Sequence, residues 1–246
     1  MIVGPARPAP PGTDKREIMS QPSSPTYALN RRRWLAVCLM IASLSGCASA
    51  PPPLPQGLAQ RVEISSVPFF RGNANHGGAL ALAALLSQQG VSITPGLLDE
   101  PLKLPQQADR LDTSIPRVAR EYGMVVYPLD KRLQALLVQL AAGNPVLVRY
   151  REGSSFWAEP RYAVVIGYDR YKQRMLLRAG MDRRRLVDFS DFEQAWQQEG
   201  SWAVLVQPPR QLPAEVDHQR WRQAAEALAQ AGQEVAARQA IDRLQE

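Results

Sequence analysis

The chain has 246 residues, 45% of them hydrophobic and 21% charged, which is enough to bury a core and excludes global disorder. The formal net charge of +6 sits at one end: residues 1–46 hold six Lys/Arg and two acids, leaving +2 for the remaining 200 residues. A body so balanced gives no electrostatic case for nucleic-acid binding, and a chain without 18 consecutive apolar residues is not a polytopic membrane protein.

The two cysteines, Cys38 and Cys47, lie in the N-terminal fifth. No disulfide, thiolate-metal site or CxxC redox pair is therefore expected in the folded part. The two histidines, His76 and His218, are far apart in sequence, so neither a metal site nor a cofactor is expected.

In chain order, residues 1–46 read as a signal region. Arg31-Arg32-Arg33 precedes a short apolar run from Trp34 to Leu44, followed by Leu44-Ser45-Gly46-Cys47. A basic segment, a short apolar core and a small-residue cleavage site make a secretory signal. A cysteine just after the cut resembles the bacterial lipoprotein signal, whose lipobox is Leu-[Ala/Ser]-[Gly/Ala]-Cys. The resemblance implies cleavage before Cys47, diacylglycerol on its thiol and acylation of the new amine. Ala48 in place of Asp favours the outer membrane, facing the periplasm. Met19 is an alternative start that gives a signal of ordinary length. Residues 47–60 include Pro51-Pro52-Pro53-Leu54-Pro55 and read as an extended tether.

Residues 61–209 read as the folded body. Val62 to Ser65 alternates, Val67 to Phe70 is extended, and a polar loop from Arg71 to His76 opens an apolar helix from Gly77 to about Gln89. That helix is apolar nearly all round and is expected to be central and buried. A second helix is expected from Ser114 to Tyr122, with Pro116 in its first turn. A strand follows at Met124 to Tyr127. Asp130 is expected to cap a third helix reaching Gly143.

Strands are then expected at 145–150, 161–168, 174–178 and 186–189. Ser190 is expected to cap a short helix through Trp196, and 202–206 is the last strand. Helices first and a meander of strands later define an α+β fold. Arg170, Lys172, Arg174, Arg178, Arg183, Arg184 and Arg185 make a basic hairpin, either a solvated surface or a contact for head groups or anionic polysaccharide. Residues 214–246 read as two Ala-rich helices with facing rows: Trp221, Ala225 and Leu228 against Ala236, Ala240 and Leu244. The pair resembles one tetratricopeptide repeat, which cannot bury its own face alone.

The order of these elements carries a further resemblance. Val67-Pro68-Phe69-Phe70, Leu82-Ala83, Gly143-Asn144-Pro145-Val146, Tyr162 to Asp169 and Trp202-Ala203-Val204 are similar to the motifs of the bacteriocin-processing, double-glycine family of papain-like cysteine peptidases. The resemblance spans residues 67–207 and implies a papain-like fold with a central helix on an antiparallel sheet. That chemistry needs a thiolate at the start of the central helix, a His base on an adjacent strand, an acid or amide that orients the base, and a Gln for the oxyanion. In this register the nucleophile position is Gly77, the Gln position His76, and the family's Gly-Pro falls on Gly78-Ala79. The base position is Arg161, and Asp182 is the nearest carboxylate to the orienting position.

Gly77 has no nucleophile, and Arg161 stays protonated. The resemblance thus implies a degenerate, non-catalytic peptidase-like domain that binds a peptide or protein partner. His76, Gly77, Gly78 and Arg161 are the expected ligand cleft. Two other readings stand beside it: an active peptidase, which thiol labelling of the body distinguishes, and a helical-repeat adaptor, whose binding would map to Trp221. His76 reads either as a loop histidine or as the partner of a hydroxyl such as Ser65 or Ser66.

The lipobox generates the first prediction. Cys47→Ser is expected to leave the protein unprocessed or in the soluble fraction, whereas the unchanged protein stays with membranes through a carbonate wash. Full membrane retention of the variant would show a different anchor.

Overall fold

A computed structural model describes residues 57–153 and 158–245. Cys47, the signal region and most of the proline tether lie outside them. The described residues belong to one compact unit, Pro53–Glu246. None of its helices is long and apolar enough to cross a membrane. The expected α+β architecture is present: an antiparallel seven-stranded sheet with helices around it.

The strands are β1 Arg61–Glu63, β2 Val125–Pro128, β3 Val146–Glu152, β4 Glu159–Asp169, β5 Arg174–Ala179, β6 Asp182–Asp188 and β7 Ala203–Gln207. The helices are α1 Gly77–Gln88, α2 Gly96–Asp99, α3 Leu111–Glu121, α4 Leu133–Ala141, α5 Phe189–Gln197, α6 His218–Gln230 and α7 Glu234–Asp242. The sheet order is β2-β7-β3-β4-β5-β6, with β1 pairing on β4.

Helix α1 is the helix expected to be central. Every residue from Gly77 to Leu86 is buried, as an all-round apolar composition requires. Against it lies β4, whose residues Tyr162 to Ile166 are all buried. One glycine closes this part of the sheet. β4 carries an irregularity between Val165 and Gly167, where β1 joins its edge. A Cβ on Gly167 would stand 2.1 Å from the Val62 carbonyl oxygen. Only glycine permits that approach, which is the physical reason for Gly167 before Tyr168 and Asp169.

Several local expectations are corrected. Helix α3 starts at Leu111 rather than Ser114, which puts Pro116 inside the helix. A tertiary contact overrides the proline signal there: the Leu111 amide donates to the buried Tyr162 hydroxyl at 2.8 Å. Asp130 does not cap α4. Arg132 occupies that position without a side-chain bond, and Asp130 accepts from Arg132 at 3.1 Å and Arg220 at 2.7 Å. These two guanidinium hydrogen bonds hold its carboxyl below the usual range. Ser190 lies within α5, and Asp188 stands at its start without a capping bond. Asp188 pairs with Arg174 at 2.9 Å instead.

Three cations of the basic hairpin, Arg174, Arg184 and Arg185, have acidic partners. Arg184 makes a bidentate pair with Glu63, at 2.9 and 2.8 Å. This hydrogen-bonded partner holds the Glu63 carboxyl below its ordinary range. Arg185 pairs with Glu152. Arg178 is 9% exposed and lines a small recess with Phe69, Phe70 and Leu80, where burial lowers its pKa.

The C-terminal helices pack on each other and on the sheet edge. Trp221, Ala224, Ala225 and Leu228 of α6 are buried, as are Ala237 and Ala240 of α7. The Trp221 indole donates to the Ala240 carbonyl at 2.7 Å. Its ring lies 6.1 Å from that of Tyr127 on β2, whose hydroxyl accepts from the Asp217 amide at 3.1 Å. The connection before α6 is held by Gln139, a buried side chain of α4. Its amide donates to the Ala214 carbonyl at 2.8 Å and accepts from the Ala214 amide at 3.0 Å. Gln139 also accepts from Asn144, which in turn accepts from Gln211.

Two glycine variants test the packing account. Gly167→Ala is expected to destabilise by about 2–4 kcal/mol because backbone must move. Gly96→Ala, whose Cβ would meet nothing within 4 Å, is expected to change stability by less than about 0.5 kcal/mol. Denaturant midpoints at constant slope check both.

Candidate functional site

The site expected from the sequence is built where α1 begins. Residues 74–76 form a single 3-10 turn that leads into α1. The Asn73 side chain accepts from the His76 amide at 3.3 Å, and the Gly77 amide donates to the Ala74 carbonyl. Two amides of this helix start, those of His76 and Gly77, are thus bonded within the turn.

Gly77 points at β4. A Cβ built on it would lie 3.3 Å from the Tyr162 carbonyl oxygen and 3.8 Å from the Tyr162 nitrogen. That nitrogen belongs to the peptide joining residues 161 and 162. The fold therefore sets Gly77 against the backbone of Tyr162, next to Arg161. The expected facing of 77 and 161 is corrected by strand alternation: Tyr162 lies on the side of α1 and α3, and Arg161 leaves the opposite face of the sheet.

Neither position carries a thiol or an imidazole, and the described residues contain no cysteine. The space beside them is filled. A Cβ on Gly78 would stand 2.2 Å from Leu111 Cδ1, so the first side chain of α3 lies directly over this glycine. Tyr162 fixes Leu111 there through its hydroxyl, and its ring meets that of Trp202 edge to face at 5.8 Å. Burial pushes the Tyr162 hydroxyl pKa well above its ordinary value.

Arg161 lies within a charged cluster. In the register of β3 and β4 it sits opposite Tyr150 and shares its face of the sheet. Its guanidinium pairs with Glu159, and with Glu152 at 3.9 Å. Glu152 also takes Arg185, which lies 3.9 Å from Asp182. Asp182 thus joins the cluster through Arg185, at the start of β6. The Tyr150 hydroxyl is buried without a hydrogen-bond partner among the described residues. Burial raises its pKa, and the nearby Arg185 and Arg161 act against that rise.

His76 bonds through Nδ1 to Asp99 of α2 at 3.0 Å. Ser66 accepts from Gln88, at the far end of α1, so it is not the partner of His76. Twelve residues of helix separate the two ends of α1, a span of about 18 Å. Of the four residues expected to form a cleft, Gly77 and Gly78 are buried and His76 and Arg161 are each engaged by carboxylates. Asp99, Leu111, Glu152 and Glu159 were not legible as parts of this site. Glu159, two residues before Arg161 on one strand, carried the only local signal. Among the described residues no group of three or more His, Cys, Asp or Glu side chains is placed to hold a metal ion.

No family model matches the chain, and no curated protein matches it. Among solved structures it is similar to a C39-like peptidase from Bacillus anthracis. The identity is 16% and the TM-score 0.47, over 60% of this chain and 98% of that one. It is also similar to xylellain, a cysteine protease from Xylella fastidiosa, at 10% identity and a TM-score of 0.43. That match covers 64% of this chain and 90% of the protease.

The facing of positions 77 and 161 yields a prediction. With Cys38 and Cys47 replaced by Ser, Gly77→Cys with Arg161→His is expected to alkylate with iodoacetamide near neutral pH within about twofold of the rate of Gly77→Cys alone, because residue 161 leaves β4 on the face away from α1. An imidazole beside a thiol at a helix start lowers the thiol pKa by about one unit or more, so a rate about tenfold faster in the double variant would mean that residue 161 does face residue 77.

Proposed function

We propose that this protein is a lipid-anchored cell-envelope protein whose papain-like body has no catalytic role and binds a peptide or protein partner. The observation that carries the reading is the close approach of Gly77, at the start of α1, to the Tyr162 backbone, with no cysteine among the described residues. A central helix that starts against a strand supports a peptidase-like frame, and glycine and arginine stand where the resemblance puts nucleophile and base. The lipobox at Cys47 supports anchoring, with several acyl chains at about 0.8 kcal/mol per buried CH₂.

Leu111 covers Gly78, so the partner meets groups outside the helix start. Two sets of paired charges offer themselves: Arg161 with Glu152 and Arg185, and His76 with Asp99. The helical-repeat reading has less support, because Trp221 and its alanine neighbours are spent on the hairpin itself and on β2.

Two measurements test this. The mature protein is expected to cleave no peptide, double-glycine leaders included, in a thiol-dependent way. Cleavage that survives stringent purification and is blocked by a thiol reagent would overturn the non-catalytic reading. A photo-crosslinking residue at Arg161 is expected to trap a partner in the envelope. The same residue at Val235, exposed on α7, is expected to trap none. Adducts at 235 alone would assign binding to the hairpin.

A further inference from the structure

The described chain enters the body at the β4–β5 turn and is pinned there. The Arg170 guanidinium donates to the Leu58 carbonyl at 2.8 Å. The Arg170 amide donates to the Gln60 carbonyl, also at 2.8 Å. Arg61 then lies opposite Asp169 in the strand register as β1 joins β4. Whatever holds the chain before residue 58 therefore holds the body by this turn.

The surface beside the turn has a distinct chemistry. Tyr171 is 88% exposed. Lys172, Arg61, Arg174 and Arg184 line a shallow recess whose apolar part is Leu176 with Leu186, the latter 51% exposed. Arg184 is held by Glu63 and Arg174 by Asp188. Arg61 lies 3.6 Å from the same Glu63, and Lys172 has no acidic partner among the described residues. An exposed aromatic tip beside cations is the chemistry of a bilayer interface, where Tyr sits at head-group level and Lys/Arg seek anionic lipid.

We propose that the face made by β1, the β4–β5 turn and the outer part of β5–β6 rests against a bilayer leaflet carrying anionic head groups. The inference rests on the lipid-anchor reading of Cys47. Eleven residue steps separate Cys47 from Leu58, a reach of about 34 Å for an extended proline-rich segment. The turn is therefore where the chain coming from the anchor first fastens to the described body. Few cations remain unpaired, so the contact is weak. A short tether makes weak contact sufficient, because it holds the surface at millimolar effective concentration. The hairpin of α6 and α7 packs at β2, the other end of the sheet from β6, and has no share in the contact.

The test uses the full, processed chain in vesicles. Tyr171→Cys gives the processed chain one free thiol, because Cys38 leaves with the signal and Cys47 is acylated, and Arg238→Cys on α7 is the control. Each is labelled with a fluorophore, and quenching by head-group nitroxide lipid is measured in phosphatidylglycerol and in phosphatidylcholine vesicles. Quenching at 171 in the anionic vesicles is expected to exceed that at 238 by about twofold or more. The excess is expected to vanish at about 0.5 M salt and in the Arg61→Gln/Lys172→Gln variant. Flotation reports the anchor separately. Protein that floats with equal quenching at 171 and 238 keeps the anchor and overturns the face. Protein that does not float overturns both.

Discussion

The contact between the start of α1 and the middle of β4 is made without side chains. Helices that pack through side chains stand 8–10 Å apart, axis to axis. Here Gly77 brings helix backbone to strand backbone, with room for no more than a tightly fitted Cβ. Gly78 does the same for the start of α3, whose Leu111 takes the volume a side chain would need. Once these surfaces meet, the buried row from Ala79 to Leu86 can lie along the sheet. Each apolar side chain fully removed from water there contributes about 1.5–3 kcal/mol. A change at either glycine therefore acts on the packing of two helices and a strand.

The same closeness decides what the site can do. Arg161 has Glu159 and Glu152 for company, His76 has Asp99, and the amide of Gly77 is spent within its own turn. Exposed pairs of this kind contribute little to stability, about 0–1 kcal/mol each. Their consequence is occupancy: any ionic group approaching Arg161 or His76 would have to displace an internal carboxylate first.

The architecture was legible because its strongest signals are periodic. An apolar helix from residue 77 and strands near 146, 162, 174 and 203 follow from hydrophobic pattern alone. The misplaced features are those where a distant group outbids a local one. Asp130 is drawn to Arg132 and Arg220, and α3 extends past its proline signal because Leu111 finds the Tyr162 hydroxyl 51 residues away. Of the site, the place of Gly77 at the start of the buried central helix followed from the order of motifs. The face of β4 that Arg161 takes did not, because it depends on strand register. The covering of Gly78 by Leu111 did not either, because nothing in a leucine at the start of a helix announces which cavity it will fill.

The attachment of residues 58–60 to Arg170 has a mechanical meaning. A force drawn along the chain toward the N-terminus arrives first at two hydrogen bonds to one arginine, both on the β4–β5 turn. Only after these part does it reach β1, whose three paired residues run antiparallel to the longest strand of the sheet. The load is thus delivered to the middle of the sheet. The hairpin, fastened at β2 through Trp221 and at α4 through Gln139, hangs outside the line of tension.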